Sequence, residues 1–127
     1  MLKTVNLNII MFRDRRRGIR RIFQVAEFEA ERDNAKANIL YRWSAESDTM
    51  MRHSESSRFF EDIERMTGMS ESEVYKALEE KKKILSWLIK NNLRSLNEFG
   101  KTMNLFYRNK ELLMSAIAKN DVKSITT

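Results

Sequence analysis

The sequence predicts an α+β protein, an antiparallel meander of three to four strands followed by four amphipathic helices packed on it. Two changes of pattern carry that prediction. Apolar residues alternate with polar ones up to about His53, the period of a half-buried strand, and from Ser54 they recur every three to four residues, the period of a helix face. The second half also contains two helix-start signatures, Ser70 with Glu73 and Ser95 with Glu98. No proline interrupts either half.

In the first strand Val5, Leu7, Ile9 and Met11 alternate with Thr4, Asn6 and Asn8. Arg13 to Gly18 forms a polar loop, and the β-branched and aromatic run from Ile19 to Phe28 supplies the second arm of a hairpin. A charged turn is expected over Glu29 to Asn34. A third strand follows, in which Ala37, Ile39, Tyr41 and Trp43 share one apolar face. Ser44 to Asp48 turns the chain again, and Thr49 to His53 adds a short fourth strand.

The helical half opens with Phe59, Phe60, Ile63 and Met66 and stops at Gly68, which suits a left-handed cap. The helix after Ser70 runs to about Asn92 with Val74, Leu78, Leu85 and Leu88 along one side. Leu96, Phe99, Met103 and Phe106 mark a third helix. Asn109 caps a fourth, which carries Leu112, Leu113, Ala116 and Ile117. Residues 1–53 therefore read as the meander, 54–120 as the helical region and 121–127 as a frayed tail. One compact unit with a shared core is expected.

Composition narrows the function. A chain of 127 residues buries roughly two-thirds of its unfolded surface, so a core is available. There is no cysteine and only one histidine, which disfavours thiolate metal sites, thiol nucleophiles and histidine-rich cages. His53 has no recognisable catalytic companions. The net charge of +6 is concentrated: Arg13, Arg15, Arg16, Arg17, Arg20 and Arg21 against Asp14 contribute +5, leaving +1 for the remainder. An anionic partner should meet the chain at this hairpin. Lys81, Lys82 and Lys83, preceded by Glu79 and Glu80, read as a solvated helix face, and Trp43, Trp87, Tyr41, Tyr107 and Phe106 as core residues.

Several motifs, in order, resemble the C-terminal region of archaeal type II and type IV secretion ATPases, the superfamily of pilus and archaellum motors. They are GIRRIFQVAE from Gly18 to Glu27, NILYRW from Asn38 to Trp43, MTGMS from Met66 to Ser70, LSWL from Leu85 to Leu88 and FYR from Phe106 to Arg108. The resemblance covers Leu2 to about Ile117. It implies a meander that extends a RecA-like core sheet in a hexamer, followed by a helical region specific to the archaeal branch.

ATP and Mg²⁺ belong to the parent family, whose phosphate loop, acidic magnesium motif and histidine box would lie upstream. None of Gly18, Gly68 and Gly100 stands in a G-x-x-x-x-G-K-[ST] arrangement, so no cofactor and no catalytic residue is expected in this chain. The chain reads as a fragment that begins inside a sheet. Met11 and Phe12 depart from the family, which has a polar residue at the end of this strand.

The expected partners are the ATPase core, neighbouring subunits and the integral-membrane platform protein, and the expected location is cytoplasmic, with a peripheral position at the inner face of the membrane as an option. The isolated chain should self-associate through its unpaired edge. Candidate anion or subunit contacts are Arg15, Arg16, Arg17, Arg20, Arg21 and Glu27, with an in-sheet ion pair the plainer role for Glu27. The alternatives are a small basic nucleic-acid binder that uses the arginine hairpin, which is disfavoured as a partner class, and a free-standing interaction module.

Overall fold

A computed structural model describes residues 7–31 and 34–126. Among the described residues, four antiparallel strands in sequential order make one sheet: β1 Leu7–Asp14, β2 Ile19–Glu31, β3 Asn34–Ser44 and β4 Thr49–Arg52. Five helices follow among the described residues: α1 Phe59–Thr67, α2 Glu71–Lys90, α3 Leu96–Arg108, α4 Lys110–Lys119 and α5 Lys123–Thr126. The class is α+β. Residues 2–6 of the expected first strand lie outside the described residues, and β1 runs on to Asp14. The chain divides into two compact units, Met1–Glu71 and Ser72–Thr127, so α1 belongs with the sheet.

In the first unit β2 and β3 form a longer hairpin than the sequence suggested. The charged stretch from Glu29 is paired strand, with Glu29 directly opposite Lys36, so opposite charges support the ladder where a turn was expected. Two register shifts interrupt the sheet. One leaves Phe23 as an extra residue between Gln24, opposite Ile10, and Ile22, opposite Met11. The other leaves Leu40 extra between Tyr41, opposite Val25, and Ile39, opposite Ala26.

An extra residue reverses the alternation beyond it. The clean stripe expected of Ala37, Ile39, Tyr41 and Trp43 is therefore lost: Leu40 is buried, whereas Ala37 and Tyr41 are exposed. Among the described residues of this unit, Ala26 and Leu40 are the buried apolar ones. Gly18 (φ +65°) closes the first hairpin, and Gly68 (φ +71°) caps α1 with its amide on the Glu64 carbonyl. Both conformations suit a residue without Cβ.

The second unit closes a core of its own from Ile84, Trp87, Leu88, Leu113, Ala116 and Ile125. α2 carries apolar side chains on two adjoining sides. Val74, Ile84, Trp87 and Leu88 are buried, while Leu78 and Leu85, expected on the core stripe, are exposed. Residues 84, 87 and 88 fit one face at helical spacing, and the indole brings the largest apolar surface to it. Tyr107, also expected in the core, is 73% exposed.

Two of the capping signals are formed as read: Ser95 and Glu98 make a capping box on α3, and Asn109 Oδ1 accepts the Leu112 amide at the start of α4. α2 ends with Asn92 left-handed (φ +56°) and the Leu93 amide on the Leu88 carbonyl at 2.9 Å. The expected frayed tail is instead α5. Ile125 is buried in the core, and that burial holds a segment too short to be stable as an isolated helix. Among the described residues no helix is long and apolar enough to cross a membrane.

Candidate functional site

The basic stretch folds as the β1–β2 hairpin, and a single carboxylate organises its tip. Asp14 Oδ1 accepts the amides of Arg16 and Arg17 at 2.8 and 3.2 Å, and its Oδ2 accepts Arg17 Nε at 2.7 Å. An aspartate at the start of a tight turn binds backbone N–H groups two and three residues on, which shapes the loop. The Arg17 side-chain bond, with the loop amides, holds the Asp14 carboxyl below its ordinary range against a smaller effect of burial. Arg17 is thereby committed to the turn.

Arg21 is committed elsewhere. Its Nε and Nη2 donate to Asp48 Oδ1 and Oδ2 at 2.7 and 2.8 Å, a two-bond fork, and Trp43 Nε1 donates to Asp48 Oδ1 at 2.9 Å. Asp48 sits in the β3–β4 turn with φ +49°, which aspartate tolerates better than most residues, and Phe12 stacks on Trp43 with ring centroids 5.6 Å apart. The Arg21 fork, then the indole N–H, holds the Asp48 carboxyl well below the usual carboxylate range. The same fork raises the Arg21 guanidinium.

Arg13 and Arg20 stand directly opposite each other in the β1–β2 ladder. Both are exposed, as are Arg15 and Arg16 at the tip, and among the described residues no ion pair reaches any of the four. Like charges facing each other across a pair of strands oppose the pairing. Of the sequence-predicted contacts, Arg15, Arg16 and Arg20 gather with Arg13 as uncommitted charge, and Arg17 and Arg21 stand beside them already paired.

Glu27 is not part of this group, and the in-sheet ion pair expected for it is absent among the described residues. Its fully buried carboxylate instead receives the segment that leads into α1. Oε1 accepts Ser57 N at 2.5 Å and Asn38 Nδ2 at 2.8 Å; Oε2 accepts Ser56 Oγ at 2.8 Å and Phe59 N at 3.0 Å. Arg58, in the N-cap position, offers no capping side-chain bond, so Glu27 satisfies amides that a helix start leaves free. Burial by itself would raise this carboxyl, but the Ser57 amide, Asn38, Ser56 and the Phe59 amide outweigh it and bring the pKa down to about 2.

Sequence reasoning missed Asp14 and Asp48 as organisers. The signal for Asp14 was present: an aspartate four residues before a glycine in a polar loop. Nothing local linked Asp48 to Arg21, 27 positions earlier. His53 is exposed after β4, its amide bonded to the Leu40 carbonyl, and Lys81, Lys82 and Lys83 are exposed on α2. Among the described residues no three His, Cys, Asp or Glu side chains come together as a metal cage. Comparison with protein-family models and with curated proteins returns no match.

Proposed function

We propose that this chain is a non-hydrolytic accessory unit of a secretion or pilus-motor ATPase of the archaeal type, built to continue the sheet of a nucleotide-binding core and to contact neighbouring subunits. The observation that carries the reading is the state of β1. It lies at the edge of the sheet, paired on one side only among the described residues, and Ile9, Ile10 and Met11 are all exposed. Successive residues of a strand point to opposite faces, so this edge is apolar on both. An edge strand with that character is suited to pairing with another strand and is a liability when left in water.

The order of motifs from Gly18 to Arg108 supports the same assignment, and the arginine hairpin supplies a charged contact beside the edge. Binding and hydrolysis of ATP then belong to the core, and this chain contributes surface and support. The test mixes the purified chain with the nucleotide-binding core of an archaeal secretion ATPase that lacks its own C-terminal region. Light scattering after gel filtration should show a complex, and ATP turnover of the core should rise several-fold, with none from the chain alone. A core that neither binds the chain nor changes its turnover overturns the reading, as does ATP hydrolysis by the chain itself.

A further inference from the structure

Met11 and Ile22 are directly opposite in the β1–β2 ladder, two positions from the Arg13–Arg20 pair. Alternation along each strand puts all four on one face, and along β1 it adds Ile9. Met11 is 64% exposed, Ile9 54% and Ile22 42%. The face therefore presents an aliphatic cluster bordered by a facing pair of arginines, with Arg15 and Arg16 at the adjoining tip. The geometry points to this face as a docking surface for a lipid bilayer that carries anionic phospholipid headgroups.

Both halves of the composition select that partner. Unpaired arginines are attracted to a negative surface and form charge-assisted bonds with phosphate oxygens, which relieves the repulsion between Arg13 and Arg20. Exposed aliphatic side chains gain from entering the boundary between headgroups and acyl chains, about 5–10 Å deep for an interfacial element. From Ile9 to Arg13 the strand spans roughly 13 Å. Glu27, opposite Leu7 on this face, is covered by the segment that leads into α1, so it is the hairpin end of the face that can insert Met11 and Ile22 while its arginines stay at the level of the phosphates. A nucleic-acid backbone would use the arginines but gives isoleucine and methionine nothing to enter, and a second copy of the same face would bring arginine against arginine.

The test uses the full chain and needs no ATPase core, so its outcome is separate from that of the function proposed above. Vesicles of phosphatidylcholine alone and of phosphatidylcholine with phosphatidylglycerol are sedimented with the protein. Binding is expected on the anionic vesicles only, falling with salt. Each arginine near the surface is worth about fivefold, so Arg13→Ala with Arg20→Ala should weaken binding about 30-fold. Met11→Ser with Ile22→Ser should weaken it at least about tenfold with the circular dichroism unchanged, because both side chains are exposed.

The chain has no cysteine, so Met11→Cys labelled with an environment-sensitive dye gives an independent reading. Its emission should shift to the blue on anionic vesicles. Absence of vesicle binding overturns the proposal. So does binding that leaves the dye in water, survives Met11→Ser with Ile22→Ser, and is displaced by short duplex DNA, which would assign the hairpin to polyanions generally.

Discussion

The buried carboxylate of Glu27 accepts the amide hydrogen of Phe59 at 3.0 Å, so a residue in the middle of β2 caps a helix that begins 32 positions later. One side chain thereby joins strand, connecting segment and helix in the first unit. Replacing it with alanine leaves the Ser57 and Phe59 amides and the Ser56 hydroxyl without their acceptor, and the expected cost is about 3 kcal/mol. Urea unfolding of Glu27→Ala against the wild type measures it; a loss below about 1 kcal/mol would mean that water replaces the carboxylate without penalty.

The same carboxylate sets a pH dependence. Its folded pKa of about 2 lies below its ordinary value of 4.5, so the stability it contributes is fully present above 4.5 and is lost as pH falls from there through 2. Asp14, Asp48 and Glu98 are also depressed and add their own acid sensitivity. The difference between wild type and Glu27→Gln isolates this residue. That difference should shrink between pH 4.5 and 2 in urea midpoints taken at each pH, and a constant difference would remove Glu27 from the account.

Asp48 ties β2 to the β3–β4 turn through Arg21 and Trp43. Asp48→Ala removes the acceptor of both donors and places a Cβ residue with no polar side chain at φ +49°. Asp48→Asn keeps the tolerance for that backbone and an acceptor for the indole. Amide exchange in β4 should accelerate strongly in the first variant and mildly in the second. Equal rates in the two would show that neither the backbone preference at Asp48 nor an acceptor for the indole holds the strand.

On α2 the neighbours Ile84 and Leu85 should respond in opposite ways. Ile84 is fully buried and Leu85 is 46% exposed, so truncation to alanine should cost about 2–5 kcal/mol at the first and under about 1 kcal/mol at the second. Chemical denaturation of the two variants decides it, and comparable losses would mean that Leu85 is covered in solution.

Trp87 reaches across the second unit, its Nε1 donating to Asn120 Oδ1 at 2.8 Å, where Asn91 Nδ2 also donates at 3.0 Å. Asn120 caps α4 at φ +53°. Asn120→Gly loses the side-chain bonds but fits the backbone, whereas Asn120→Ala loses both, so alanine should be the less stable by about 1 kcal/mol. Thermal melts that rank them the other way would show that the backbone relaxes when the side chain is removed.

Much of the local structure was legible because its causes are local. The change of period near Ser54, the hairpin glycine Gly18, the glycine cap Gly68, the Ser95–Glu98 box and the Asn109 cap all depend on residues within one turn or one hairpin. The concentration of arginine likewise follows from the order of residues alone. The pairing of Arg17 with Asp14, three residues away, left a local signal, but that of Arg21 with Asp48 was not legible because the two lie 27 positions apart.

The sequence by itself thus determined the α+β class, the position of the basic hairpin and most helix boundaries, since period and capping act over a few residues. Tertiary structure decided the rest. The extra residues Phe23 and Leu40 set which strand side chains face which way, and burial chose Ile84 and Trp87 over Leu78 and Leu85 on a helix with two apolar sides. Contacts 30 residues apart turned Glu27 into a helix cap. In each case the deciding partner lies far along the chain, where no spacing rule reaches and the whole fold sets the free energy.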